Sequence, residues 1–238
     1  FARDDSHKVV DGEVVAAKRR VLCADFHPLG APACQRHVGN AVEPLEHGHD
    51  LVLDEGQRWI DDRAIVLIAK RQPMADDLRE IIGTIRISAD LERVGDLGKN
   101  IAKRVVAVAD TRQPVQLFRG LEALATLALT QLKQVLDVYA SRSVGAIAFM
   151  RDRDEEIDAM YTSLFRELLT YMMEDPRNIS PCTHLLFCAK NIERIGDHAT
   201  NIAETVYYVV TGEQLPLERP KEDKSHRVVM MNPATARN

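Results

Sequence analysis

The chain has 238 residues, 45% apolar and 28% charged, the balance of a soluble globular protein with material for one large domain or two small ones. Its 12 aromatic residues and 12 glycines are lean for an all-β sandwich or barrel, and no apolar run approaches the roughly 18 residues of a transmembrane helix. Thirty-one basic against 36 acidic side chains leave a net charge of −5 and a pI near 5.9, which argues against a general nucleic-acid binder.

In chain order, the first segment is the least regular. No apolar stretch follows Phe1–Asp5, so no signal peptide is expected, and an opening Phe suggests a fragment or an imperfect reading frame. Five of the eight histidines (His7, His27, His37, His47 and His49) fall in the first 50 residues, together with Pro28, Pro32 and Pro44. Such punctuation allows no helix beyond about Glu13–Phe26. Cys23-x3-His27 and Cys34-x2-His37 have the spacing of zinc ligands but not of a standard finger, and out-of-frame sequence is the preferred reading. Four cysteines are too sparse for a disulfide framework and point to a reducing compartment; Cys182 and Cys188 read as small core residues.

From Trp59 the texture changes to proline-free stretches with apolar residues at helical spacing. One stripe runs through Leu78, Ile81, Ile82, Ile85 and Ala89, within a helix expected over Ala75–Asp110. A second uses Phe118, Leu121, Leu124, Ala128, Leu132 and Val135, and a third Ile157, Tyr161, Leu164, Phe165, Leu168 and Met172. Pro73, Pro114, Pro176 and Pro181 mark helix starts and connections. The fold class is therefore all-α, long helices joined by short connections into bundles, with a disordered tail after Gly212.

A self-match at an offset of 101 residues carries the chemistry. Asp90–Ala102 aligns without gaps to Asn191–Ala203, with seven of 13 positions identical, so the chain is a tandem duplication. On a helix, Glu92, Asp96 and Asn100 project on one side, and Glu193, Asp197 and Asn201 repeat the arrangement. Two carboxylates about 6 Å apart repel by roughly 3 kcal/mol at an effective dielectric of 20, so water, an arginine or a cation must offset them. Oxygen ligands of this kind suit hard or borderline cations. Gly95 and Gly196 each cost a helix interior about 1 kcal/mol, which suggests that another backbone or a hydrated ion approaches there. A solvated polar face flanked by Arg93 and Arg194 is the bland alternative, and helix capping or interhelical bonds explain Asn100 and Asn201 equally well. His198, directly after Asp197, points about 100° away, which places it on the surface or behind the ridge rather than among the ligands.

Gln72–Arg79, Asp90–Asp96, Arg153–Asp158 and Asn191–His198 together resemble the PhoU family of phosphate-transport regulators, over Trp59 to about Gly212. The resemblance implies two tandem three-helix bundles related by a pseudo-twofold axis. It also implies a metal ion (Fe, Zn, Mn or Mg) held by Glu92, Asp96, Glu193 and Asp197, with Asp90, Asn100 and Asn201 as weaker candidates. It further implies a cytoplasmic, often dimeric, non-enzymatic protein that links the ATPase of a phosphate ABC transporter to a sensor histidine kinase, reaching the membrane only through partners. The expected division is an atypical, out-of-frame or disordered segment 1–57, repeat one over 58–141 with its first helix missing or altered, repeat two over 142–212, and a disordered tail 213–238. The missing helix would leave the Leu78/Ile81/Ile85 stripe partly uncovered. Two alternatives stand beside this reading: a metal-free helical adaptor, and a carboxylate-bridged di-metal enzyme. The second needs Glu-x-x-His on facing helices, a spacing found only at Glu46–His49.

Overall fold

The computed structural model describes residues 49–108 and 115–215, and these are helical with no strand. The Cys/His pairs of the first 50 residues and the chain after Leu215 lie outside the described residues. Five helices follow one another: α1 (His49–Arg71), α2 (Asp76–Val108), α3 (Val115–Ser141), α4 (Ala148–Glu174) and α5 (Ile179–Thr211). Short 3-10 turns, Val144–Ala146 and Pro176–Asn178, join the last three.

Local chemistry sets the connections. Between α1 and α2, Gln72 and Ala75 flank Pro73 and Met74 with positive φ, and Asp76 and Asp77 then place negative charge on the first turn of α2. Asp175 breaks the chain between α4 and α5: its carboxylate accepts from the Arg177 N–H at 2.9 Å and pairs with the guanidinium at 2.7 Å, with Pro176 at the first helical position. That pairing holds the Asp175 carboxyl below the usual carboxylate range. Gly212, at φ 78°, closes α5 in the left-handed conformation, its N–H reaching the Tyr208 carbonyl at 2.9 Å.

Helices α2 and α5 form the central antiparallel pair, each 33 residues and roughly 50 Å long. Gly83 of α2 faces Val209 of α5 at one end, and Cys188 approaches the Ile101 carbonyl at the other. Helix α1 packs on α2, whereas α3 and α4 pack on α5 and on each other. The core is continuous through this pair, from Leu124, Leu132, Leu164 and Leu168 through Leu185, Ala199 and Ile202 to Ile87, Leu91 and Val94.

Several sequence expectations shift here. Helix α3, assigned to repeat one in the span 58–141, interlocks its Leu124, Ala128, Leu132 and Val135 stripe with α4 and α5, so it opens the second bundle and the division falls between Val108 and Val115. The start of repeat one also moves: α1 begins at His49, not at 58, because its first turns already carry Leu53 into α2. The second bundle is thus complete, and the first is represented among the described residues by α1 and α2. The stripe assigned to α2 is rotated. Ile81 is buried, but Leu78 is exposed and Ile82, Ile85 and Ala89 are half-buried; Thr84, Ile87, Ser88, Leu91 and Val94 line the core instead. Cys182 and Cys188 are buried in the interior as expected.

Candidate functional site

Each repeat places its acidic ridge on one of the two central helices. On α2, Glu92 is half-buried and Asp96 and Asn100 are exposed. On α5, Glu193 is 4% exposed, and Asp197 and Asn201 are half-buried. The glycine between Glu and Asp has the same role in both ridges, and it is not the one expected. The nearest atoms from other helices belong to a neighbouring apolar side chain rather than to a backbone. Leu53 of α1 lies against Gly95, and the Cδ1 of Ile157 on α4 lies 2.9 Å from where a Cβ on Gly196 would stand. The matching pairs show that α1 and α2 are to one repeat what α4 and α5 are to the other. They also put Leu53-Asp54 in register with Ile157-Asp158, three residues away from the alignment by the 101-residue offset.

The surroundings of the two ridges differ. At the second, the Lys190 ammonium donates to Glu193 Oε1 at 2.8 Å and lies 4.9 Å from the centre of the Tyr161 ring. Behind Gly196 a buried polar chain crosses the bundle. Gln131 Nε2 donates to the Thr200 hydroxyl at 2.9 Å, and that hydroxyl donates to Asp154 Oδ1 at 2.9 Å. Gln131 is wholly buried; its Oε1 has no hydrogen-bond partner.

Asp90 takes another part from that of a weak ligand. Its Oδ1 accepts from the Nδ1 of His198 at 2.9 Å, tying α2 to α5. His198 is buried at 8% exposure, so a surface position is corrected: the direction that turns it away from Asp197 turns it into the α2–α5 seam. Sequence reasoning passed over Asp154 and Asp158, which share on α4 the i, i+4 spacing used to find the ridges; Asp158 is 8% exposed. Among the described residues no three His, Cys, Asp or Glu side chains converge closely enough to enclose a metal ion. A cation at either ridge would therefore be held by the two carboxylates of one helix, Glu92 with Asp96 or Glu193 with Asp197, completed by water, a donor set that suits a hard cation.

Comparison with known proteins agrees with this geometry. The PhoU domain matches residues 47–105 and 121–206, covering α1 with α2 and α3 with α4 and α5. A phosphate-specific transport system accessory protein PhoU homolog of Rhizobium meliloti is 74% identical over 174 residues, 73% of this chain and 73% of the relative. One from Caulobacter vibrioides is 50% identical over 191 residues, 80% of this chain and 83% of the relative. The crystal structure of PhoU from Pseudomonas aeruginosa superposes with a TM-score of 0.68 at 29% identity, over 87% of this chain and 97% of that one. On the combined strength of the duplicated helix pairs, the domain match and these relatives, the chain belongs to the PhoU family.

Proposed function

We propose that this chain is an accessory regulator of phosphate uptake, which restrains the phosphate-starvation response by coupling a phosphate ABC transporter ATPase to a sensor histidine kinase. The observation that carries the reading is the extent of the likeness: it spans both helix pairs and both acidic ridges, and relatives named as phosphate-transport accessory proteins share up to 74% of aligned residues. No described helix is long and apolar enough to cross a membrane. A cytoplasmic homodimer that reaches the membrane through its partners is part of the same proposal. Cation binding at Glu92 with Asp96 and at Glu193 with Asp197 belongs to the same reading. A bound ion would neutralise each ridge and present a positive centre to an acidic or phosphorylated partner.

The test is complementation. The chain is expressed in a bacterium lacking its own PhoU and grown in ample phosphate, while phosphate uptake and alkaline phosphatase are read. Restored repression is the expected result, and undiminished derepression with soluble, folded protein sinks the reading.

The metal-free adaptor draws support from the Lys190–Glu193 pair, which neutralises one carboxylate without a metal. In that case Glu92→Gln and Glu193→Gln leave repression intact. The di-metal enzyme has less support, because the interior between α3, α4 and α5 is filled by Leu124, Leu132, Leu164, Leu168 and Leu185, with Gln131 and Thr200 as polar intruders. Metal-dependent turnover of a phosphate ester or of dioxygen would reinstate it.

A further inference from the structure

The outward face of α3 carries an ordered set of side chains. Arg119, Glu122, Thr126, Thr130, Lys133 and Asp137 recur at intervals of three and four residues, and all six are exposed. They lie on the side of the helix opposite the buried Leu124, Ala128, Leu132 and Val135, so packing within the chain does not call for them. From the start of α3 the charges run positive, negative, positive, negative about an uncharged centre. At that centre the Thr126 and Thr130 hydroxyls donate to the Glu122 and Thr126 carbonyls of their own helix, at 2.8 and 2.7 Å, so neither proton is left for an outside acceptor.

Two copies of this stripe fit each other in one orientation. When α3 of a second chain crosses antiparallel, centred between Thr126 and Thr130, Arg119 faces the partner's Asp137 and Glu122 faces the partner's Lys133. Twofold symmetry repeats both pairs. A slip of one turn sets Arg119 against the partner's Lys133 in one direction, and Glu122 against the partner's Asp137 in the other. A parallel crossing sets every charge against its like. Attraction in one register and repulsion in its neighbours is how charge selects a pairing. Beside the stripe runs a shallow groove of about 470 Å3, lined by Thr126 and Thr130 of α3 and by Arg153, Glu156 and Met160 of α4. A second helix therefore meets a trough rather than a flat wall.

We propose that this face of α3 is the contact surface of an isologous homodimer, in which a second copy of the chain crosses antiparallel over Thr126 and Thr130. This rests on the homodimeric reading of the chain and gives that dimer its surface. Small side chains at the crossing let the two helix axes approach to about 8 Å. The four charges stand toward its ends, in water, where they fix register more than they add affinity. One helix crossing buries less than a standard interface of about 1,600 Å2, so the dimer dissociates at micromolar concentration.

Sedimentation equilibrium of the full chain from about 1 to 100 µM tests it. Wild type is expected to pass from monomer to dimer over that range, and to need a higher concentration when salt is raised. Arg119→Asp and Asp137→Arg, both at exposed positions, are each expected to weaken the dimer about tenfold, because each sets like charges opposite at both ends of the crossing. The two substitutions together restore opposite pairing, and dimerisation is expected to return to that of wild type. Thr130→Arg fills the crossing and is expected to abolish the dimer with helix content unchanged by circular dichroism. If wild type dimerises and every variant does so equally, the contact lies elsewhere and the homodimeric reading stands. If the single reversals weaken the dimer and their combination does not restore it, the antiparallel pairing is wrong. If wild type remains monomeric at about 100 µM, the homodimeric reading falls and this contact with it.

Discussion

Cys188 shows how burial alone can make one side chain pH-sensitive. It is 2% exposed on α5, and burial pushes its thiol from an ordinary 9.0 up to about 11; Cys182 moves in the same direction. The folded chain holds these protons more tightly than the unfolded one, so the associated stability is intact below pH 9.0 and is lost as pH rises toward about 11. For Cys188 the loss is on the order of 2 kcal/mol. Urea midpoints measured from neutral pH upward are expected to start falling near pH 9.0, with a shallower fall in Cys188→Ala. Tyr139, whose hydroxyl burial also raises, adds to the decline above its ordinary 10.0. Gly212 offers a test without titration. Its φ of 78° strains any L side chain, and an added Cβ would also have to push aside the Arg79 guanidinium. Gly212→Ala is expected to cost about 1–2 kcal/mol, read from the same urea curves.

Helix α3 belongs to the second bundle and also touches the first. Leu132 and Val135 fill the second bundle, while its last turn reaches across to the first. There the Tyr139 hydroxyl shares a 3.0 Å hydrogen bond with Thr84, and Arg142, itself in the left-handed region at φ 55°, pairs with the buried Glu80 of α2. Leu132→Ala is expected to cost about 3 kcal/mol through the cavity it leaves, and Tyr139→Phe about 1 kcal/mol, both measurable by denaturant unfolding. The helices themselves were legible because long, proline-free runs carry an unambiguous period; of the two stripes, Leu124, Ala128, Leu132 and Val135 of α3 and Ile157, Tyr161, Leu164 and Leu168 of α4 are buried, whereas Leu121, Phe165 and Met172 are half-buried and Phe118 is exposed. The phase of α2 was not legible. Its inward face includes Thr84 and Ser88, small polar residues that return their hydroxyls to the Glu80 and Ile85 carbonyls of their own helix and so can be buried. An apolar count rotates the helix away from them. The start of α1 was hidden for a different reason: the comparison by a single offset fails there, since the hairpin from Leu53 to Gly95 is three residues longer than that from Ile157 to Gly196.

At the scale of the whole molecule, the α2–α5 pair decides whether the two repeats act as one body. The ridges could be read from spacing because identical residues recur in both copies. The partners Lys190, Tyr161, Gln131 and Asp154 could not, because they come from one copy only or from helices far apart in sequence. The Asp90–His198 bond takes one residue from each copy, and it lies in the seam. Asp90→Leu would leave the imidazole buried without its acceptor and is expected to lower stability by about 2 kcal/mol. Adding His198→Leu is expected to recover much of that loss, since an apolar pair of similar volume replaces a buried polar one at little cost. A double-mutant cycle in urea checks both values.

A duplicated chain carries a hazard that an ordinary one does not: each half resembles its sibling closely enough to mate with a copy of itself. If α2 met another α2 in the same crossing, Asp90 would face Leu97, and if α5 met another α5, His198 would face Asn191. Only the unlike union lets the imidazole meet its carboxylate. That bond thus serves as a lock and key between siblings, enforcing marriage within the chain over promiscuous exchange between chains. The doubly apolar variant, though as stable as its parent or nearly so, is expected to form helix-exchanged dimers, read as α2–α5 cross-links between isotopically distinct chains by mass spectrometry, where the parent's cross-links stay within one chain.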